Sequence, residues 1–63
     1  MALENLLIEL EERGYFPKVC LVEDFDGDLI WKAAISYGPT IFEAKVAYSE
    51  ISPLVALEIA YRR

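Results

Sequence analysis

From Leu29 to Tyr37 the chain alternates with a period of two. Leu29, Trp31, Ala33, Ile35 and Tyr37 fall on one side of an extended strand, and Ile30, Lys32, Ala34 and Ser36 on the other. Successive side chains of extended backbone point to opposite faces, so the pattern predicts a strand with one face toward a core. A second run, Thr40 to Ser49, sets Phe42, Ala44, Val46 and Tyr48 against Ile41, Glu43, Lys45 and Ala47. Gly38-Pro39 lies between the runs, and a glycine free to take positive φ suits a two-residue hairpin connection. That turn pairs Tyr37 with Thr40, Ile35 with Phe42, Ala33 with Ala44 and Trp31 with Val46, which brings both apolar rows to one face.

A third strand is expected from Pro17 to Phe25, with two registers open. A three-residue loop Phe25-Asp26-Gly27 sets Leu21 opposite Trp31 and Val19 opposite Ala33, whereas a two-residue Asp26-Gly27 turn sends Cys20 and Val22 to the core side. The first is preferred. Before it, Leu3, Leu6, Leu7 and Leu10 recur at helical spacing within Ala2 to Arg13, and Gly14 follows as a left-handed cap. After the strands, Ser52 supplies an N-cap hydroxyl and Pro53 the first helical position. Glu58 and Arg62, four apart, mark the solvent line of this last helix. Ala56, Leu57, Ile59 and Ala60 then face the sheet, with Leu54 and Val55 left half exposed at its edges. The fold expected is α+β: helix, three-stranded antiparallel meander, helix (αβββα), with the helices packed on the sheet, in one domain spanning residues 1–63.

Sixty-three residues bury a modest core, about 60% of the surface the unfolded chain exposes. Domains this small commonly lean on a disulfide, a metal or a partner. Cys20 is the only cysteine and there is no histidine, so neither an internal disulfide nor a zinc site is available. A single thiol fits a reducing, cytoplasmic setting. No apolar run approaches the roughly eighteen residues that span a bilayer, and MALENLLIELEER has no basic leader and no cleavage site. The net charge of −5 argues against nucleic acid and anionic membranes as partners. Self-association or a partner protein is left as the way to complete so apolar a chain, at 56% hydrophobic residues.

Glu23-Asp24-Phe25-Asp26-Gly27-Asp28 puts four carboxylates within six residues. Started at Asp24, a calcium loop of the EF-hand type would find Asp24, Asp26 and Asp28 in place. It would then meet Leu29 where a glycine is needed and Ile35 where a bidentate glutamate is needed. Asp-Gly between two apolar runs is instead a strong hairpin signal, so the segment reads as a turn. No catalytic, cofactor-binding or metal-ligating residue is assigned. Ser36, Ser49 and Ser52 have no base beside them in any recognisable motif, and Cys20 lies in a strand with nothing to lower its pKa. The chain is read as a non-enzyme.

With Lys32 and Lys45 on the outer rows and Lys18 joining them, the outer sheet face holds three lysines among Cys20, Val22, Ile30, Ala34, Ile41 and Ala47. A solvated face whose lysines discourage edge pairing is the plain reading; a mixed apolar and basic docking patch is the sharper one. The surfaces expected to make contact are Lys18, Cys20, Ile30, Lys32, Ile41 and Lys45 on the sheet, with Leu54, Val55 and Tyr61 on the last helix. Trp31, Phe42, Tyr48, Tyr61, Tyr15 and Phe16 read as core and core edge, and exposure of Tyr48 or Tyr61 would strengthen the interaction reading.

The order helix, three strands, helix resembles double-stranded-RNA-binding domains. Those grip phosphates with lysines at the start of the second helix, where this chain has Ser52-Pro53-Leu54-Val55. The meander and last helix also resemble some antitoxins, without their glycine-rich strand motif. A closer likeness joins LEERGYF (Leu10 to Phe16), Trp31 and SEISPLVALEIAYRR (Ser49 to Arg63), which resemble the phage ABA sandwich domain family. Members of that family are often longer at the N-terminus, and usually carry a cysteine where this chain has Glu58 or Ile59. The resemblance implies the αβββα fold and a phage-encoded accessory protein in a host cytoplasm, and it brings no site residue with it. The expectation is a non-enzymatic interaction protein that binds a host protein or forms a homodimer. The alternatives are a nucleic-acid or nucleotide binder using the lysine face, and an acidic helix, Glu4 to Glu12, that mimics nucleic acid.

Overall fold

The leucine spacing forms helix α1 (Leu3–Glu12), and Gly14 takes a positive φ of 87° directly after the cap residue Arg13. Leu6 and Leu10 are its fully buried side chains, with Leu3 and Leu7 packed beside them. The chain then enters the meander β1 (Tyr15–Glu23), β2 (Leu29–Tyr37) and β3 (Lys45–Ser49), and closes with α2 (Pro53–Arg62). These elements come from a computed structural model that describes residues 2–37 and 44–63. The α+β architecture expected from the sequence is the one observed.

β1 pairs with β2 in the preferred register, Val19 opposite Ala33 and Leu21 opposite Trp31. The strand starts and ends two residues earlier than its hydrophobic run suggested, because Tyr15 and Phe16 already pair with Tyr37 and Ser36. The acidic segment is the turn between these strands. The Asp24 N–H donates to the Asp28 carbonyl at 2.8 Å, and the Gly27 N–H to the Asp24 carbonyl at 3.2 Å. Gly27 sits at φ 83°, the bulge position that glycine fills without strain. Asp24 and Asp28 are thus a hydrogen-bonded pair, so the even-numbered residues of β1 bond to β2. Its odd-numbered residues face the free edge of the β1-β2-β3 sheet. Pro17, which has no N–H to give, occupies one of those edge positions.

The expected register of β3 is overturned. Trp31 pairs with Ser49, Ala33 with Ala47 and Ile35 with Lys45, in place of Val46, Ala44 and Phe42. The shift of three residues is odd, so every side chain of β3 changes face. Ala47, expected outside, is buried in the core, whereas Val46 and Tyr48, expected inside, lie on the far face. Ile35 is opposed by two consecutive residues, since its carbonyl accepts the Ala44 N–H at 3.1 Å while Lys45 is its partner in register. Gly38-Pro39 and residues 40–43, including Ile41 and Phe42, lie outside the described residues.

Packing explains the exchange. Both helices cover the same sheet face, and the core cluster joins Leu6, Leu10, Ala33, Ile35, Ala47, Ala56, Leu57 and Ala60. Ala56 and Ala60, one turn apart on α2, share this cluster with the paired Ala33 and Ala47 of the sheet, and small side chains on both sides suit a close approach of helix to sheet. Val46 or Tyr48 at that position would hold it away. The Ser52 hydroxyl caps α2 by accepting the Val55 N–H at 3.1 Å, as its sequence signature implied. Ile59 is half-buried rather than fully inside, on the flank of the α2 stripe.

Candidate functional site

With both helices on one side, no described helix or strand covers the other face of the sheet, hereafter the open face. Register fixes its surface row by row: Phe16 beside Ser36, Lys18 beside Ala34 and Val46, Cys20 beside Lys32 and Tyr48, Val22 beside Ile30. Ala34 and Ser36 are almost fully buried and form its floor. Phe16 and Tyr48 rise from it, exposed to 50% and 52%. Lys18 and Lys32 are diagonal neighbours, a placement that holds α-carbons about 7–8 Å apart. Toward the β1–β2 turn, Val22, Phe25, Ile30, Lys32 and Tyr48 line a depression of about 600 Å³, with Glu23 and Asp24 on its rim. Phe25 stands wholly in solvent at the turn tip.

The sheet residues singled out from the sequence divide. Lys18, Cys20, Ile30 and Lys32 share the open face, with Lys18 exposed and the other three half-buried. Lys45 does not join them. It lies half-buried in the helix-facing row beside Ile35, because of the face exchange in β3, so three expected lysines become a diagonal pair. Ile41 is outside the described residues. On α2, Leu54 and Val55 are half-buried, as expected for the edges of its apolar stripe, and Tyr61 is half-buried as well, with Leu54 and Tyr61 packed against the core. Tyr61 is held by Arg13, whose Nη1 donates to its phenolic oxygen at 2.6 Å. Phe16, Val46 and Tyr48 are the members of the open face that sequence reasoning missed. The first was read as core edge, and the other two were hidden by the parity of β3.

Asp24, Asp26 and Asp28 bring carboxylate oxygens within 4.8 Å of one another. Their first task is visible in the turn, where Asp24 Oδ1 accepts the N–H groups of Asp26 at 2.9 Å and Asp28 at 3.0 Å. That is the side-chain turn chemistry aspartate favours at such positions. Among the described residues no helix is long and apolar enough to cross a membrane.

Compared with protein-family models, characterised proteins and solved structures, the chain finds no significant match. The likeness to phage ABA sandwich domains therefore rests on the quoted residues alone.

Proposed function

We propose that this chain is a small, non-enzymatic interaction protein that works by binding another protein through the open face of its sheet. The supporting observation is the orientation of β3. Its more apolar row, Val46 and Tyr48, faces outward, while Lys45, Ala47 and Ser49 face the helices. A sheet that turns its larger apolar side chains away from its own core leaves surface for a second molecule to cover. An exposed tyrosine in such a patch is a frequent anchor in protein interfaces.

Two features favour protein over nucleic acid as the partner. The basic stripe is down to Lys18 and Lys32, and the chain carries a net charge of −5. The lack of histidine supports a non-catalytic role. The resemblance to short phage proteins makes a bacterial host protein a natural partner, with a second copy of the chain as the other source of cover.

Replacing Ile30 and Tyr48 together by serine tests this reading, because neither is needed to fill the core. Capture from bacterial lysate and self-association should both be lost while the circular dichroism spectrum is kept. Binding and mass unchanged in the double variant would sink the proposal.

A further inference from the structure

We infer that the depression at the turn end of the open face seats an apolar side chain from a basic segment of a partner protein, one in which arginine or lysine flanks that side chain. This rests on the reading of the open face as a binding surface and names the chemistry of what it binds.

The apolar half of the argument is the hollow of about 600 Å³ walled by Val22, Phe25, Ile30 and Tyr48. Val22 and Ile30 are opposite each other in register, and Tyr48 is paired with Lys32, so all three strands build it. Phe25 at the turn tip is wholly exposed and Tyr48 half so. A side chain seated between them removes apolar surface of both molecules from water, which favours binding.

The charged half is the rim. Glu23 and Asp24 stand on it, and Asp26 and Asp28 bring carboxylate oxygens within 4.8 Å of one of Asp24. Among the described residues none of these four is in ion-pair contact with a lysine or arginine. Lys32, on the wall of the hollow, already has an interaction of its own within the chain, so the carboxylates set the charge that a newcomer meets. Asp24 Oδ1 accepts two N–H groups of the turn, and the other carboxylate oxygens keep acceptor sites for a cation. Arginine, with its fork of donors, suits such a rim.

The chain does not carry such a segment itself. Arg13 is bonded to Tyr61 and Glu9, Arg62 is paired with Glu58, and Lys45 is half-buried in the helix-facing row. Lys18 belongs to the open face, and Arg63 has no exposed apolar residue next to it in sequence. Nucleic acid would set phosphates against the carboxylates. A partner protein with a basic and apolar segment meets both halves of the site.

Short glycine–serine peptides test this. One carries leucines interleaved with arginines, one the arginines alone, and one leucines interleaved with glutamates. In amide NMR titrations the first should shift Phe25, Ile30 and Tyr48 and bind more tightly than the other two. Ile30→Ser with Tyr48→Ser should weaken it at least about tenfold. Glu23→Gln with Asp26→Asn should weaken it about fivefold in dilute buffer, an effect lost near about 1 M salt. Glu11→Gln with Glu12→Gln removes equal charge from α1 and should change nothing. A loss there as large as at the rim would reduce the contact to net charge and overturn the site. The arginine peptide binding as well without its leucines overturns the apolar seat. The glutamate peptide binding as well overturns the basic partner while leaving the open face as a binding surface. If no peptide binds, the inference fails, and the lysate comparison with the Ile30 and Tyr48 variant still judges the open face.

Discussion

Arg13 and Tyr61, 48 positions apart in the chain, are joined by a hydrogen bond of 2.6 Å from the guanidinium Nη1 to the phenolic oxygen. The guanidinium carbon also lies 5.9 Å from the centre of the Tyr61 ring. Tyr61 in turn meets Tyr15 edge-on at 6.4 Å, and Tyr15 meets Tyr37 at 5.3 Å. The last turn of α2 is thereby tied to the residue that ends α1 and to the far end of the β1–β2 pair. Aromatic and cationic contacts here supplement a core in which half of the buried cluster is alanine among the described residues.

Removing the ring should cost more than removing the hydroxyl. Tyr61→Phe is expected to lower stability by about 0.5 kcal/mol, the net value of a hydrogen bond near solvent. Tyr61→Ala should lower it by about 2 kcal/mol through lost apolar and ring contact. Urea midpoints of the two variants compare them directly. Equal losses would mean that the bond to Arg13, rather than the ring, holds α2 in place.

The face exchange in β3 makes opposite demands on two neighbours. Ala47→Glu places a charge in the contact between the sheet and α2, and should unfold a domain of this size. Tyr48→Glu, on the open face, should change stability by no more than about 0.5 kcal/mol. Thermal melts of both variants check the register, and the reverse result would restore the pairing first read from the sequence.

The acidic turn should behave as a turn. Asp24→Ala removes an acceptor for two backbone N–H groups and is expected to cost about 1 kcal/mol. Asp24→Asn keeps an oxygen in that place and should recover most of the loss. Gly27→Ala meets no atom within 4 Å, so its cost, about 1 kcal/mol, comes from the positive φ alone. Chemical denaturation gives all three values, and an Asn variant as weak as the Ala variant would contradict the role given to Oδ1.

Ser52 caps α2 through the Val55 N–H. Ser52→Ala should destabilise by about 1 kcal/mol and Ser52→Asp by much less, because aspartate also caps. Denaturation midpoints decide it, and equal losses would remove the cap from the account.

Local signals were read well from the sequence. The leucine spacing of α1, the Gly14 cap, Ser52-Pro53 and the three-residue turn before Asp28 all depend on residues close together in the chain. The face of β3 does not. Read alone, Val46 and Tyr48 are the better core residues and Lys45, Ala47 and Ser49 the better surface ones. What reverses them is packing against α2, whose Ala56 and Ala60 share the buried cluster with Ala33 and Ala47 and favour a small residue there. Those alanines were visible, but which strand they lie against is a tertiary fact. The same gap moved Lys45 out of the candidate site and brought Tyr48 in.

Pro17 governs how this protein can fail as well as how it folds. Among the described residues the outer edge of β1 has no partner strand, and such an edge is where a foreign strand would add and where fibril growth could start. Pro17 breaks the outward row of donors between Tyr15 and Val19, and Lys18 adds a charge at the break. An incoming strand meets a gap in the ladder where it would need continuous pairing. Concentrated solutions should therefore stay clear of cross-β aggregate, and Pro17→Val is expected to weaken that protection by restoring the missing donor.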